Sequence, residues 1–147
     1  MLSVSSLHTN KLILSIENVQ LRATKIIKNI KHLTYEKRLR FLDLRTLVYR
    51  RSHGDMTEMY KIVSGMYDIA ATPYLQLCKQ NVTKGYSLKL AKSYSGLNVQ
   101  NNFFCLRITH LWNSLTEDIV TGPSLNAFEN ILDKHWQNTS FKFEFQR

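Results

Sequence analysis

The side chains most able to do chemistry in this sequence are its lysines and arginines. The chain has 20 of them against 11 aspartates and glutamates, which gives a net charge of +9. Ten of the cations, against three acids, lie between residues 16 and 51, and residues 69–116 contain no acid. A cation excess of this kind predicts a polyanionic partner, with nucleic acid favoured over a membrane surface. The alternative is a solvated basic surface that has no partner.

Nine of these cations fall on three predicted elements. In chain order they are Arg22, Lys25, Lys28 and Lys31 on a first helix, Arg38 and Arg40 on a second, and Lys84, Lys89 and Lys92 on a β ribbon. A row of cations on a helix can follow the phosphates of a nucleic acid, but it is also typical of an ordinary solvated face. The first helix taken alone favours the solvated face.

No catalytic or metal-binding pattern accompanies the cations. The sequence has no Gly-rich phosphate loop, no HExxH and no G-x-S-x-G, and its five histidines lack metal-ligand spacing. The carboxylate pairs are Glu117 with Asp118 and Asp55 with Glu58, at positions where helix starts and surface faces tolerate acids. Cys78 and Cys105 form no CxxC, so we expect buried free thiols in an intracellular, reducing compartment. We predict no metal site and no cofactor.

The elements that position the cations are predicted to be mainly helical. The 147 residues include only 5 Gly and 2 Pro, which favours helices over a hairpin-rich fold. We expect a loose lead-in at 1–10, one domain at 11–137 with about five helices around one core and a minor two-stranded ribbon, and a frayed tail at 138–147. No apolar run is long enough to cross a membrane. The first residues lack the basic region of a signal peptide.

The first predicted helix has an apolar stripe at three- and four-residue steps, which we expect to face the core. The stripe consists of Leu12, Ile16, Val19, Ala23, Ile26, Ile27 and Ile30.

Helix-terminal residues predict the second and third helices. Thr34 is placed to cap a short helix through Leu42, and Thr46 to cap the next one. Gly65 suits the end of that third helix. Gly54 lies within it at a cost of up to about 1 kcal/mol, which favours a kink or a close helix crossing. The core face of the third helix is predicted to comprise Val48, Tyr49, Met56, Met59, Tyr60, Val63 and Met66.

Beyond residue 68 the pattern is weaker. Residues 73–77 suggest one helical turn, and residues 83–99 suggest two strands that turn near Ser95-Gly96. A fourth helix is predicted from about Asn102, and Gly122-Pro123-Ser124 is placed to cap the last one. The core faces of these two helices are Phe104, Ile108, Leu111, Trp112 and Leu115, and Leu125, Phe128, Ile131, Leu132 and Trp136.

A set of short motifs, in order over residues 16–136, carries a family resemblance. The motifs are Val19-Gln20-x-Arg22-Ala23-Thr24-Lys25, Tyr35-Glu36-x-Arg38-Leu39-x-x-Leu42-x-Leu44, Thr46-Leu47-x-x-Arg50-Arg51, Gly54-Asp55-Met56, Tyr60-Lys61-Ile62, Gly65, Thr83-Lys84-Gly85-Tyr86-Ser87, Phe103-Phe104-x-x-Arg107, Trp112-Asn113-Ser114-Leu115 and Ser124-x-x-x-Phe128. They resemble the region that follows the polymerase palm in reverse transcriptases of non-LTR, LINE-type (jockey-like) retrotransposons. The chain departs from that pattern where the family usually shows Arg-Gly-His, near Lys84-Gly85-Tyr86, and Leu-Pro, at Leu115-Thr116.

The resemblance implies a thumb-like role, in which helices hold the backbone of a template–primer duplex such as an RNA–DNA hybrid. The family's palm and its catalytic aspartates lie upstream and are missing here, so we expect no enzyme activity from this chain and a palm on another segment as a second partner. The candidate phosphate contacts are Arg22, Lys25, Lys28, Arg38, Arg40, Arg50, Lys84, Lys89 and Lys92. The alternatives are a helical interaction module, an inert transposon remnant, or a piece of an active polymerase encoded upstream.

Overall fold

The computed structural model describes residues 4–67, 77–78, 88–91 and 108–137. This part of the chain contains six helices. They are α1 (Val4–Ile26), α2 (Tyr35–Phe41), α3 (Leu47–Val63), α4 (of which residues 108–114 are described), α5 (Glu117–Val120) and α6 (Leu125–Trp136). The same residues contain no named strand, so the prediction of a mainly α protein is confirmed.

The chain divides into two compact units. One unit consists of residues 1–53 with residues 136–147, and the other of residues 54–135. The boundary between residues 53 and 54 falls within α3. Residues 138–147, predicted as a frayed tail, lie outside the described residues. Helix α1 begins at Val4, so residues 4–10 are helical where a loose lead-in was predicted.

In the first unit, α1 turns a different face inward from the one its apolar stripe predicts. Ile16, Val19 and Ile26 are 50%, 67% and 79% exposed, whereas Glu17 and Thr24 are buried. Only Ile30, beyond the end of the helix, meets the prediction among the described side chains of the stripe. The inward polar groups are hydrogen-bonded to α2, to α3 and to the turn between them, and these bonds offset the cost of removing the groups from water. A polar face of α1 can therefore turn inward.

The caps of α2 and α3 agree with the sequence prediction. Thr34 Oγ1 accepts a hydrogen bond from the Lys37 amide at 3.5 Å, and Thr46 Oγ1 accepts one from the Tyr49 amide at 3.2 Å. Each side chain therefore binds an amide in the first turn of its helix, where no carbonyl of the helix is in reach.

Both helices also end in the same way, on a residue with positive φ. Asp43 has φ 52° and follows α2, and Gly65 has φ 73° and follows α3. In each case the next amide bonds back across the end of the helix, from Leu44 to the Leu39 carbonyl at 2.8 Å and from Met66 to the Lys61 carbonyl at 2.9 Å. These are Schellman ends, where glycine is the least strained residue.

Gly54 does not mark a close helix crossing. A Cβ built on it would have no neighbour within 4 Å, and the residue is exposed. Of the two predicted alternatives, the close crossing is therefore wrong, and the kink stays a prediction. Its neighbours along the core face agree better with the pattern, because Tyr49, Met56, Met59 and Tyr60 are buried. Met66, which was predicted on the same face, lies beyond the helix and is 54% exposed.

The second unit has an aromatic and aliphatic interior. Trp112 and Phe128 are fully buried with ring centroids 6.1 Å apart, and Phe128 stacks on Tyr60 at 4.5 Å. The Tyr60 hydroxyl donates to the Gly122 carbonyl at 2.6 Å, so its polar end is also satisfied. The other buried apolar residues of this unit include Met56, Met59, Ile62, Leu90, Ile108, Leu115, Ile119, Val120 and Leu132.

A short extended segment packs on α4. The Trp112 indole donates to the Leu88 carbonyl at 2.9 Å. The Asn113 amide exchanges two hydrogen bonds of 2.9 Å with the backbone of Leu90, as a neighbouring strand would. Leu90 also forms an isolated antiparallel bridge with Leu77. The predicted ribbon of 83–99 lies mostly outside the described residues. Residues 73–76 of the predicted turn also lie outside them, as do Phe104 and Arg107 of the predicted fourth helix.

Two further features differ from the sequence prediction. Cys78 is exposed, which corrects the expectation of a buried thiol there; Cys105 lies outside the described residues. The four-residue helix α5 was not predicted. At the start of α6 the prediction is confirmed, because Ser124 Oγ accepts a hydrogen bond from the Ala127 amide at 3.2 Å.

Candidate nucleic-acid interface

The densest run of exposed cations in the described residues begins at the end of α1, continues through the turn that follows and ends in α2. All five of its side chains are exposed, namely Arg22, Lys25, Lys28, Lys31 and Lys37. The only acid between residues 22 and 37 is Glu36, and it is engaged by Arg40 at 2.7 Å. We call these five side chains the basic segment. Residues 22–37 hold these five cations against one acid.

Local structure explains why cations can gather there. Arg22 and Lys25 are neighbours on α1, three residues apart. Lys25 lies in the last turn of the helix, where a cation interacts favourably with the unpaired carbonyls and with the helix dipole. Lys28 and Lys31 follow in a turn whose amides bond within it, from Ile30 to the Ile27 carbonyl at 3.2 Å and from Leu33 to the Ile30 carbonyl at 3.0 Å.

Arg38 is not part of this surface. It is only 4% exposed, and its guanidinium donates to Thr24 Oγ1 at 3.2 Å, to the Leu33 carbonyl at 2.5 Å and to the Leu21 carbonyl at 3.4 Å. A side chain held in this way has no face left for a phosphate. Its assignment as a phosphate contact is corrected: Arg38 joins α1, the following turn and α2.

The other candidate contacts are distributed differently. Arg40 is exposed on α2 in its ion pair with Glu36, and Arg50 is exposed on α3. Lys89 is half-exposed and belongs to the second unit, where its carbonyl accepts a hydrogen bond from the Cys78 amide at 2.8 Å. Lys84 and Lys92 lie outside the described residues. In the first unit, the exposed cations of residues 22–37 are therefore neighbours along the chain.

A buried polar network holds the helix that carries the basic segment. Glu17 is completely buried. One of its oxygens accepts the Tyr35 hydroxyl at 2.5 Å, and the other accepts the amides of Leu47 and Val48 at 2.9 and 3.3 Å. Leu47 and Val48 are the first residues of α3, so the carboxylate of α1 caps α3 from outside. One turn further along α1, Gln20 donates to the Arg45 carbonyl at 3.0 Å.

Tyr35 joins this network from α2. Burial, and then its hydrogen bond to the Glu17 carboxylate, raise the pKa of the Tyr35 hydroxyl far above its usual range, while the nearby Arg38 charge lowers it by less. The Arg38 guanidinium lies 5.7 Å from the centre of the Tyr35 ring. The hydroxyl therefore keeps its proton and remains a donor to Glu17.

The sequence analysis did not predict the role of Glu17 as a cap for α3. The signal available in the sequence was the lack of an acid at the start of α3 together with a single acid in α1. Helix α3 has no acid of its own in its first turn, and Glu17 is the only acid in a strongly basic helix. A single acid among cations is ordinarily a solvated surface charge, so its type alone does not predict burial.

The chemistry available to the described surface is electrostatic and hydrogen-bonding. Among the residues that the structure describes, no three His, Cys, Asp or Glu side chains are grouped closely enough to hold a metal ion. Within the same residues, no helix combines the length and apolarity needed to cross a bilayer. The basic segment can offer lysine and arginine donors to anionic oxygens, and Arg22 can do so with two parallel N–H groups.

The chain matches no protein-family model, no curated protein and no solved structure.

Proposed function

We propose that this chain binds the backbone of a nucleic-acid duplex, such as an RNA–DNA template–primer, with little dependence on sequence. The observation that carries the proposal is the basic segment, in which five exposed cations lie within residues 22–37 and the single acid is already paired. Lysine and arginine contacts to phosphates supply affinity but do not read bases. Arg40 and Arg50 extend the proposed contacts within the same unit.

The resemblance to the post-palm region of LINE-type reverse transcriptases supports the same proposal. It implies that a thumb-like element of this kind holds a duplex while a separate palm performs catalysis. We therefore propose that the chain is related to that region and is not catalytic alone. Purified protein with Mg²⁺, primer–template and deoxynucleotides should give no primer extension, and extension that depends on the protein would contradict this part of the proposal.

The second candidate function is a helical interaction module without nucleic-acid binding. One observation favours it, because the exposed stripe of Ile16, Val19 and Ile26 leaves apolar surface on the same helix. The two candidates differ in their response to salt. Phosphate contacts release counterions and weaken steeply as salt rises, whereas burial of apolar surface does not.

Fluorescence anisotropy with a labelled duplex, measured across a salt series, tests the proposal. Each phosphate contact contributes a slope of about −0.9 to log affinity against log salt, so the five cations of the basic segment predict a slope of about −4 to −5. The variant Arg22→Gln/Lys25→Gln/Lys28→Gln should weaken binding equally for duplexes of different sequence and flatten the slope by about 2.7. The three side chains are exposed, so the fold should survive.

A matched control separates local contacts from net charge. Asn126→Glu/Asn130→Glu/Gln137→Glu lowers the net charge by the same amount at exposed positions at the other end of the sequence. It should leave the slope close to that of the unchanged protein. No binding at about 0.1 M salt, or equal losses in the two variants, would refute binding through the basic segment.

A further inference from the structure

Arg38 is a buried cation whose hydrogen bonds join α1 to the far end of the turn that follows it. Its Nε donates to Thr24 Oγ1 at 3.2 Å, and one terminal nitrogen donates to the Leu21 carbonyl at 3.4 Å, both on α1. The other terminal nitrogen donates to the Leu33 carbonyl at 2.5 Å, where the turn ends. One planar group therefore connects positions that are up to twelve residues apart along the chain.

This connection encloses the middle of the basic segment. Lys25, Lys28 and Lys31 lie between the positions that Arg38 joins, and all three side chains are exposed. The turn has two backbone hydrogen bonds of its own, of 3.2 and 3.0 Å, and neither reaches α1. The bonds of Arg38 therefore supply an attachment of the turn to the helix that the turn's own backbone bonds do not.

An attached turn has a consequence for the proposed binding to a duplex, on which this inference rests. A duplex holds its phosphates at regular positions, and cations that are already ordered meet them with little further loss of loop and side-chain freedom. A single strand is flexible and can adjust its backbone to cations in many arrangements. Ordering of the turn should therefore favour a duplex over a single strand.

We infer that Arg38 is a positioning residue: it touches no phosphate, but by attaching the turn to α1 it gives the basic segment a preference for a duplex over a single strand. The role needs the shape of the side chain as well as its charge. A guanidinium donates in several fixed directions at once, which suits three acceptors on two elements. A lysine ammonium is a compact charge on a flexible stem and does not replace that fork.

Binding of a labelled duplex and of a labelled single strand of the same length, followed by fluorescence anisotropy at about 0.1 M salt, tests the inference. In Arg38→Lys, which keeps the charge, affinity for the duplex should fall about tenfold, and affinity for the single strand should change by less than about threefold. The acceptors of Arg38 are a hydroxyl and two carbonyls, so the substitution leaves no buried carboxylate without its partner. In the absence of nucleic acid, hydrogen exchange at the Leu33 amide should be faster in this variant.

A milder pair of variants decides the matter if Arg38→Lys does not fold. Thr24→Val removes one acceptor of the guanidinium and leaves every exposed cation in place, so it should weaken duplex binding about threefold and single-strand binding hardly at all. Thr46→Val is the matched control, because Thr46 is also a buried threonine of the first unit but its side chain caps α3. It should leave the affinity for both nucleic acids unchanged.

Each other outcome overturns the inference in a recognisable way. Unchanged duplex affinity in Arg38→Lys would show that the geometry of the guanidinium does not matter. Equal losses for duplex and single strand would show that Arg38 does not set the preference between them. Equal losses in Thr24→Val and Thr46→Val would show that affinity follows the stability of the first unit. These three results leave the proposed function standing, whereas absence of duplex binding by the unchanged chain would refute the proposed function and this inference with it.

Discussion

Replacement of Glu17 by alanine should destabilise the first unit more than any exposed charge change. The carboxylate is completely buried and accepts the Tyr35 hydroxyl and the amides of Leu47 and Val48. Alanine leaves all three donors without this acceptor. At about 1–3 kcal/mol for each buried donor, discounted because the Tyr35 hydroxyl is half-buried, the loss should be about 3–5 kcal/mol.

Two further variants divide this loss into its parts. Glu17→Gln keeps the shape and one acceptor oxygen, so it should cost about 1–2 kcal/mol. Tyr35→Phe removes one donor and should cost about 1 kcal/mol in the unchanged protein, but close to nothing when Glu17 is already alanine. The two effects should therefore be non-additive, as expected for groups in one hydrogen-bonded network.

Denaturant unfolding followed by far-ultraviolet circular dichroism measures these values. The chain comprises two compact units, so each transition is fitted by itself if two appear. A loss below about 1 kcal/mol for Glu17→Ala would mean that the carboxylate is solvated in the folded protein, and additive effects of Glu17→Ala and Tyr35→Phe would mean that they do not share a bond.

Three other predictions follow from the described structure. The pKa of Tyr35 is raised in the folded protein, so the contribution of Tyr35 to stability is complete below the unfolded pKa of about 10 and is lost progressively above it. Between pH 8 and 11, the free energy of unfolding should therefore fall more steeply with pH in the unchanged protein than in Tyr35→Phe. In urea melts, Gly54→Ala should stabilise by up to about 1 kcal/mol because the site is helical and open, whereas Gly65→Ala should destabilise by about 1 kcal/mol because its φ is positive; the same sign for both would contradict this. Trp112→Ala should cost about 3–5 kcal/mol, since the side chain is fully buried, and a cost below about 1 kcal/mol would place it at the surface.

Local rules predicted the ends of the helices well. Thr34, Thr46, Ser124 and Gly65 each act within one turn of their own helix, so sequence spacing is enough to assign them. Asp43 plays the same part as Gly65 but was not assigned it, because an aspartate is only occasionally found at a positive φ and no neighbouring residue marks it. Helix α5 has four residues, too few to show a helical period.

The orientation of α1 could not be predicted from its own pattern. Periodicity identifies an apolar stripe and not what the stripe touches, and the inward face of α1 is determined by partners 18 to 31 residues away from Glu17 along the chain. The same limit applies to the candidate contacts. Arg38 and Lys28 are equivalent as sequence, but one guanidinium is buried between α1 and α2 and the other cation lies in an exposed turn.

Because Glu17 of α1 caps α3, the detachment of α1 and the exposure of the first amides of α3 occur together. While α1 is attached, the Leu47 and Val48 amides are bonded to a buried carboxylate, and detachment of α1 exposes both to water together. The hydrogen-exchange rate of these two amides therefore reports how often α1 detaches, even though the amides belong to α3. Anything that holds α1 in place, such as a duplex on the basic segment, should slow exchange at these two amides without touching them.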